Sequence, residues 1–228
     1  MTPAARLLVL AKEPLPGRVK TRLVPDFSPA EAARLALAAL ADTLDTVRAA
    51  ATLLTGTGMQ IEPWLVFDGD PWLDHAGFTV VPQTSGALDE RLAGAFAAAA
   101  EPTTGTGPVP AVLVGMDTPQ ASQDVLAAAV ACVVSPAGPD ACIGLAADGG
   151  WWLLGLRRPD PALLSGLPMS TPRTGAETCR RLVEAGLTVE SLPVLRDVDT
   201  AADAALVAGQ APGSRFAAVH DELQRWAS

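Results

Sequence analysis

A single α/β domain with a mostly parallel central sheet flanked by helices follows from three observations on this 228-residue chain. Continuous apolar runs of strand length, Leu7–Leu10 and Ala111–Met116 among them, read as strands buried on both faces. They alternate with Ala- and Leu-rich stretches of helical length that carry cap signals. No internal repeat and no long linker divides the chain, so residues 1–228 are read as one domain.

The elements follow in order. The run Leu7–Leu10 feeds a loop, Ala11-Lys12-Glu13-Pro14-Leu15-Pro16-Gly17-Arg18-Val19-Lys20-Thr21-Arg22-Leu23. Ser28, with Pro29 in the first turn and Glu31 three residues on, predicts a capping box and a helix to about Ala50, then a Gly/Thr turn over Thr52–Gly58. Ile61–Phe67 is a predicted strand ending in Asp68-Gly69-Asp70-Pro71, and Phe78–Val81 a short one. A helix is expected over Leu88–Ala100 and a turn over Thr103–Pro110. The strand Ala111–Met116 stops at Asp117-Thr118-Pro119, and Ser122 caps a helix to about Val134. Ala141–Leu145 and Trp151–Leu156, joined by Asp148-Gly149-Gly150, read as a small hairpin-like insertion. A helix over Gly175–Ala185, a strand over Leu187–Leu192, an acidic turn, and helices over Thr200–Gly209 and Ser214–Trp226 complete the prediction.

Composition narrows the function classes. The formal charge is −9, which repels nucleic acid and anionic membrane surfaces at long range, and no basic–aromatic interleaving offsets this. No apolar run is long enough to span a bilayer, and Met1–Leu10 lacks a signal-peptide plan, so the expected location is cytoplasmic. Cys132, Cys142 and Cys179 are widely spaced and read as buried thiols of a reducing compartment. His75 and His220, the two histidines, lie too far apart in sequence to suggest a histidine-based triad or zinc site.

Both lysines of the chain, Lys12 and Lys20, lie in the first loop with Arg18 and Arg22, against the single anion Glu13. A cationic loop at the carboxyl end of a strand is where α/β proteins hold phosphorylated ligands; a solvated basic turn is the plainer alternative. Asp117 follows an apolar strand directly and either faces the ligand crevice or begins a turn. Asp197 and Asp199 alternate, so an extended backbone aims both at one face. With Asp117 they make an oxygen-rich set suited to Mg²⁺ or Mn²⁺; capping of the helix that follows is the competing role. Asp148-Gly149-Gly150-Trp151-Trp152 combines turn chemistry with an aromatic wall, and one tryptophan is expected in the core. Gln83–Arg91 is a weaker signal: Gly86 permits close backbone approach, and Glu90 and Arg91 open a helix that either faces the crevice or forms a surface pair.

In order, AKEPLPGRVKTRL, QTSGALDERL, VGMDTP, AADGGWWLLGL and DVDTAAD resemble the DUF2064-type bacterial glycosyltransferases, an arsenosugar-biosynthesis-like group of the nucleotide-diphospho-sugar transferase superfamily. The resemblance runs from about Leu7 to Asp203. It implies a GT-A (Rossmann-like) fold and a metal-dependent glycosyltransferase that moves a sugar from a nucleotide-sugar to a small-molecule acceptor. Lys12, Arg18, Lys20 and Arg22 would neutralise phosphates, with Gly149 and Gly150 bordering the donor. Asp117, Asp197 and Asp199 would hold Mg²⁺ or Mn²⁺, with Asp148 and Lys20 catalytic. A more distant similarity, to 2-phospholactate guanylyltransferases and molybdenum-cofactor nucleotidyltransferases, rests on Lys20-Thr21-Arg22-Leu23 and Asp117-Thr118-Pro119. It supplies the alternative of a nucleotidyltransferase releasing pyrophosphate from an NTP; a noncatalytic nucleotide-binding protein is the third. Lys12-Glu13-Pro14 replaces the glycine-rich phosphate loop of sugar nucleotidyltransferases, and Trp151 stands where the family usually has Tyr.

Overall fold

The computed structural model describes residues 4–24, 26–102 and 107–227, so the part of the predicted turn over Thr103–Thr106 lies outside the described residues. Seven strands form one sheet: β1 (Ala5–Lys12), β2 (Ile61–Asp68), β3 (Thr79–Pro82), β4 (Ala111–Gly115), β5 (Ala141–Ala146), β6 (Trp151–Leu156) and β7 (Val189–Leu195), in the order β3-β2-β1-β4-β6-β5-β7. β1 pairs in parallel with both β2 and β4, and β5 pairs in parallel with β7. β6 alone runs against its neighbours, wedged between β4 and β5.

That placement corrects one expectation. The Trp151–Leu156 strand belongs to a hairpin, but the hairpin is no insertion, because β6 is an interior strand of the main sheet. Its residues Trp152–Leu156 are all buried, which suits a position covered on both faces.

Among the described residues α1 (Pro29–Gly56), α2 (Leu88–Ala100), α3 (Gln123–Val134) and α4 (Thr174–Glu184) lie against the sheet, while α5 (Ala201–Gln210) and α6 (Arg215–Ala227) pack with α1. Alternation along β1 shows how the two faces are filled. Leu7, Val9 and Ala11 pack with α1 and α3, whereas Leu8 faces Leu92 and Phe96 of α2. A third cluster joins α1, α5 and α6 through Leu35, Val207 and Phe216.

The Ser28–Glu31 capping box forms as the sequence predicts. The helix continues beyond Ala50 to Gly56, and the hydroxyls of Thr52 and Thr55 donate to the carbonyls of Arg48 and Ala51. The predicted Gly/Thr turn therefore shrinks to the residues after Gly56.

Trp151 and Trp152 separate across the sheet. Trp152 is 2% exposed in the α1/α3 core, and its indole Nε1 donates to the Pro193 carbonyl at 3.0 Å. Gly144 on the neighbouring strand leaves room for that ring, since a Cβ there would lie 2.4 Å from Nε1. Gly144→Ala should therefore overpack the core and cost about 1–3 kcal/mol. Urea unfolding followed by circular dichroism checks this; an unchanged midpoint would contradict it.

Candidate functional site

The carboxyl ends of β1 and β4 are adjacent, and β2 and β6 diverge from them to opposite sides, which makes this the switch point of the sheet. A cleft of about 560 Å³ opens there. Its charged lining comprises Lys12, Arg22, Arg91, Asp117, Asp148, Asp197 and Asp199, and its apolar wall includes Leu88, Leu92, Trp151 and Met169.

Three separate segments bring the four aspartates together. Asp117 extends β4, Asp148 sits in the β5–β6 turn, and Asp197 and Asp199 lie between β7 and α5. The Val198 N–H donates to the Asp117 carbonyl at 3.0 Å, which ties these two segments by their backbones. Val198 is 1% exposed, so its side chain anchors the segment while Asp197 and Asp199 both line the cleft, as their alternation predicts. Neither caps α5: that role falls to Thr200, in a capping box with Asp203.

Lys20 enters this acidic cluster from the first loop. Its backbone is left-handed, with φ 49°, and its side chain is only 7% exposed. The ammonium lies 2.7 Å from Asp117 Oδ1 and 3.6 Å from Asp199 Oδ1, and it also donates to the Val198 carbonyl. Arg22 Nη1 meets Asp199 Oδ2 at 3.0 Å. Of the four cations expected to meet phosphate, Lys12 and Arg22 line the main cleft, and Lys20 lines a smaller adjoining recess of about 190 Å³. Arg18 is exposed and lines neither.

Asp197 has a different environment from its neighbours. Burial pushes its carboxyl up to about pH 7, helped by the negative charges of Asp117 and Asp148 and opposed by Lys20. Its Oδ1 is buried without a hydrogen-bond partner among the described residues. An unsatisfied carboxylate oxygen facing other carboxylates fits a divalent cation chemically. No ready-made cage exists, since no group of three or more His, Cys, Asp or Glu placed to hold a metal occurs among the described residues. Two carboxylates completed by substrate oxygens is the manner in which Mg²⁺ is commonly held.

The Asp148 turn is stiff. Asp148 Oδ1 accepts the Gly150 N–H at 2.8 Å. Gly149 has φ +91°, and a Cβ on it would lie 2.1 Å from the Pro172 carbonyl oxygen. The Gly175 N–H donates to the Gly149 carbonyl, so the turn is clamped to the first turn of α4. Of the two glycines expected to border a ligand, Gly150 lines the cleft, while Gly149 is used in this packing.

Sequence reasoning gave little weight to Gln83 and Arg91 and none to the 168–174 loop, yet all reach the cleft. The Gln83 amide donates to the carbonyls of Ala11 and Val66, bridging the ends of β1 and β2, and its oxygen accepts from Arg91 Nη1 at 3.1 Å. A glutamine just after a short strand was the available signal; its partners are distant in sequence.

The fold is a mixed α/β fold similar to that of nucleotide-diphospho-sugar transferase structures. The chain shares its fold with a candidate nucleotide-diphospho-sugar transferase from Desulfovibrio desulfuricans G20, at 25% identity and a TM-score of 0.79, over 98% of this chain and 95% of that one. Rv0371c from Mycobacterium tuberculosis H37Rv has a similar fold, at 20% identity and a TM-score of 0.52, over 90% of this chain and 98% of that one. The chain belongs to the family described as "Uncharacterized protein conserved in bacteria (DUF2064)", whose model matches residues 39–171. No curated protein matches the chain in sequence.

The raised Asp197 carboxyl has a consequence for stability. Above its ordinary value of 3.8 the unfolded chain releases a proton that the folded chain keeps up to about 7. Its contribution to stability is therefore lost as pH rises through that window. In divalent-free buffer, thermal unfolding of wild type and Asp197→Asn should show a decline between about pH 4 and 7 that the variant flattens. Equal slopes in the two proteins would contradict the assignment.

Proposed function

We propose that the protein is a metal-dependent glycosyltransferase that moves a sugar from a nucleotide-sugar to a small-molecule acceptor. The observation that carries this reading is the switch-point cleft, in which Lys12 and Arg22 stand beside the Asp117, Asp197 and Asp199 carboxylates. The likeness to a candidate nucleotide-diphospho-sugar transferase over nearly the whole chain supports it.

The donor diphosphate binds along the β1 side of the cleft. Lys12 offers a point charge and Arg22 a forked set of donors. Asp117 and Asp197, with Asp199, would hold Mg²⁺ or Mn²⁺ together with substrate oxygens, and that ion would supply positive charge to offset the charge of a departing nucleoside diphosphate. Lys20 keeps Asp117 and Asp199 in place, and a direct phosphate contact from it requires those carboxylates to be exchanged for phosphate oxygens.

Asp148 faces the acceptor. Its Oδ1 is held by the Gly150 N–H, which leaves Oδ2 to orient an acceptor hydroxyl or to take its proton as the new glycosidic bond forms. The Gly150 backbone borders the donor, and Trp151 and Met169 form an apolar wall for the sugar or acceptor.

The test is turnover with a panel of nucleotide-sugars and NTPs in Mn²⁺ or Mg²⁺, with product identification for wild type, Asp117→Asn and Asp148→Asn. A released nucleoside diphosphate is the expected product, and Asp117→Asn should lower the rate by about a hundredfold or more with the fold intact. Pyrophosphate release from one NTP would establish the nucleotidyltransferase alternative instead. Near-wild-type activity of Asp117→Asn would remove Asp117 from the site.

A further inference from the structure

Arg91 is a cation without a counter-ion among the described residues. It lies in the first turn of α2, where the helix dipole disfavours positive charge. The two acidic residues of that turn are committed elsewhere: Asp89 accepts the Gly166 N–H at 2.8 Å, and Glu90 accepts the Ala87 N–H at 2.8 Å. The hydrogen-bond partner of Arg91 is the neutral Gln83 side chain, which is itself fixed to the ends of β1 and β2. Arg91 Nε is buried with no hydrogen-bond partner among the described residues.

The same cleft holds a second unsatisfied donor. Trp151 lies on the α2 side of the sheet, and its Nε1 is buried without a partner among the described residues. Guanidinium and indole nitrogens only donate hydrogen bonds, and both residues line the cleft, so a ligand that engages either must present an acceptor. A part-buried guanidinium in an unfavourable dipole further selects a negatively charged acceptor group.

We infer that Arg91, aimed by Gln83 and joined by the Trp151 indole, forms an oxyanion subsite against Leu88, Leu92 and Met169. The group it takes is a carboxylate or a phosphate of the bound substrate. The inference rests on the glycosyl-transfer reading only in treating this cleft as the substrate cleft. Carboxylate on an acceptor and phosphate on a donor share the chemistry and differ in source.

Isothermal titration in metal-free buffer at fixed ionic strength, with inorganic pyrophosphate and with D-glycerate as probes, tests the subsite. At least one probe should bind wild type, and Arg91→Gln should weaken that binding by about tenfold or more. Trp151→Phe, which removes only the N–H donor, should weaken it to a smaller extent. Arg91→Lys, which keeps the charge and loses the fork, should fall between wild type and Arg91→Gln, and with Trp151→Phe it carries the test should Arg91→Gln fail to fold. Dependence confined to pyrophosphate assigns the subsite to the donor, and dependence of glycerate binding assigns it to an acidic acceptor. Absence of binding to wild type, or affinities within about twofold in Arg91→Gln, overturns the subsite. Arg91-dependent binding without any glycosyl transfer would sink the functional reading alone.

Discussion

The Lys20 ammonium, almost enclosed and facing Asp117, Asp199 and the Val198 carbonyl, is the contact on which the site depends. Like charges gathered at one sheet edge repel, and burial raises the cost. Lys20 offsets part of that repulsion from a fixed position. Asp197 carries the rest: burial first, and then the charges of Asp117 and Asp148, push its carboxyl up to about 7. A permanent internal cation and a residual demand for positive charge are what the proposed exchangeable divalent ion would require: Lys20 would keep the site assembled before the metal binds.

The fold makes this arrangement by bringing together the ends of distant strands. The β1 loop supplies Lys20, the end of β4 supplies Asp117, the β5–β6 turn supplies Asp148, and the chain between β7 and α5 supplies Asp197 and Asp199. Backbone hydrogen bonds between these connections, Val198 to Asp117 and Ala147 to Leu195, hold them without using the carboxylates themselves. The rigid sheet thus fixes side chains whose mutual repulsion would otherwise spread them apart.

Much of this was legible in the sequence where the cause is local. The bounds of α2, Leu88–Ala100, agree with the prediction, and the Ser28 and Ser122 caps form, because capping depends on a few adjacent residues. The hairpin over Ala141–Leu156 was legible as two strands and a turn, but its place inside the sheet was not, since periodicity says nothing of which strand lies beside which. Asp117, Asp148, Asp197 and Asp199 were found because each follows a strand or fills a turn. The engagement of Lys20 by carboxylates, the packing role of Gly149 and the anchoring of Gln83, the partner of Arg91, to Ala11 and Val66 all depend on contacts between residues remote in sequence.

The central claim is that Asp117 and Asp197 form an exchangeable divalent site completed by substrate oxygens. Electron paramagnetic resonance titration of Mn²⁺, with and without a nucleoside diphosphate, measures it most directly. The account predicts weak Mn²⁺ binding to wild type alone, about tenfold or more tighter binding with the diphosphate, and loss of both in Asp197→Asn. Mn²⁺ affinity unchanged by Asp197→Asn and indifferent to the diphosphate would contradict it.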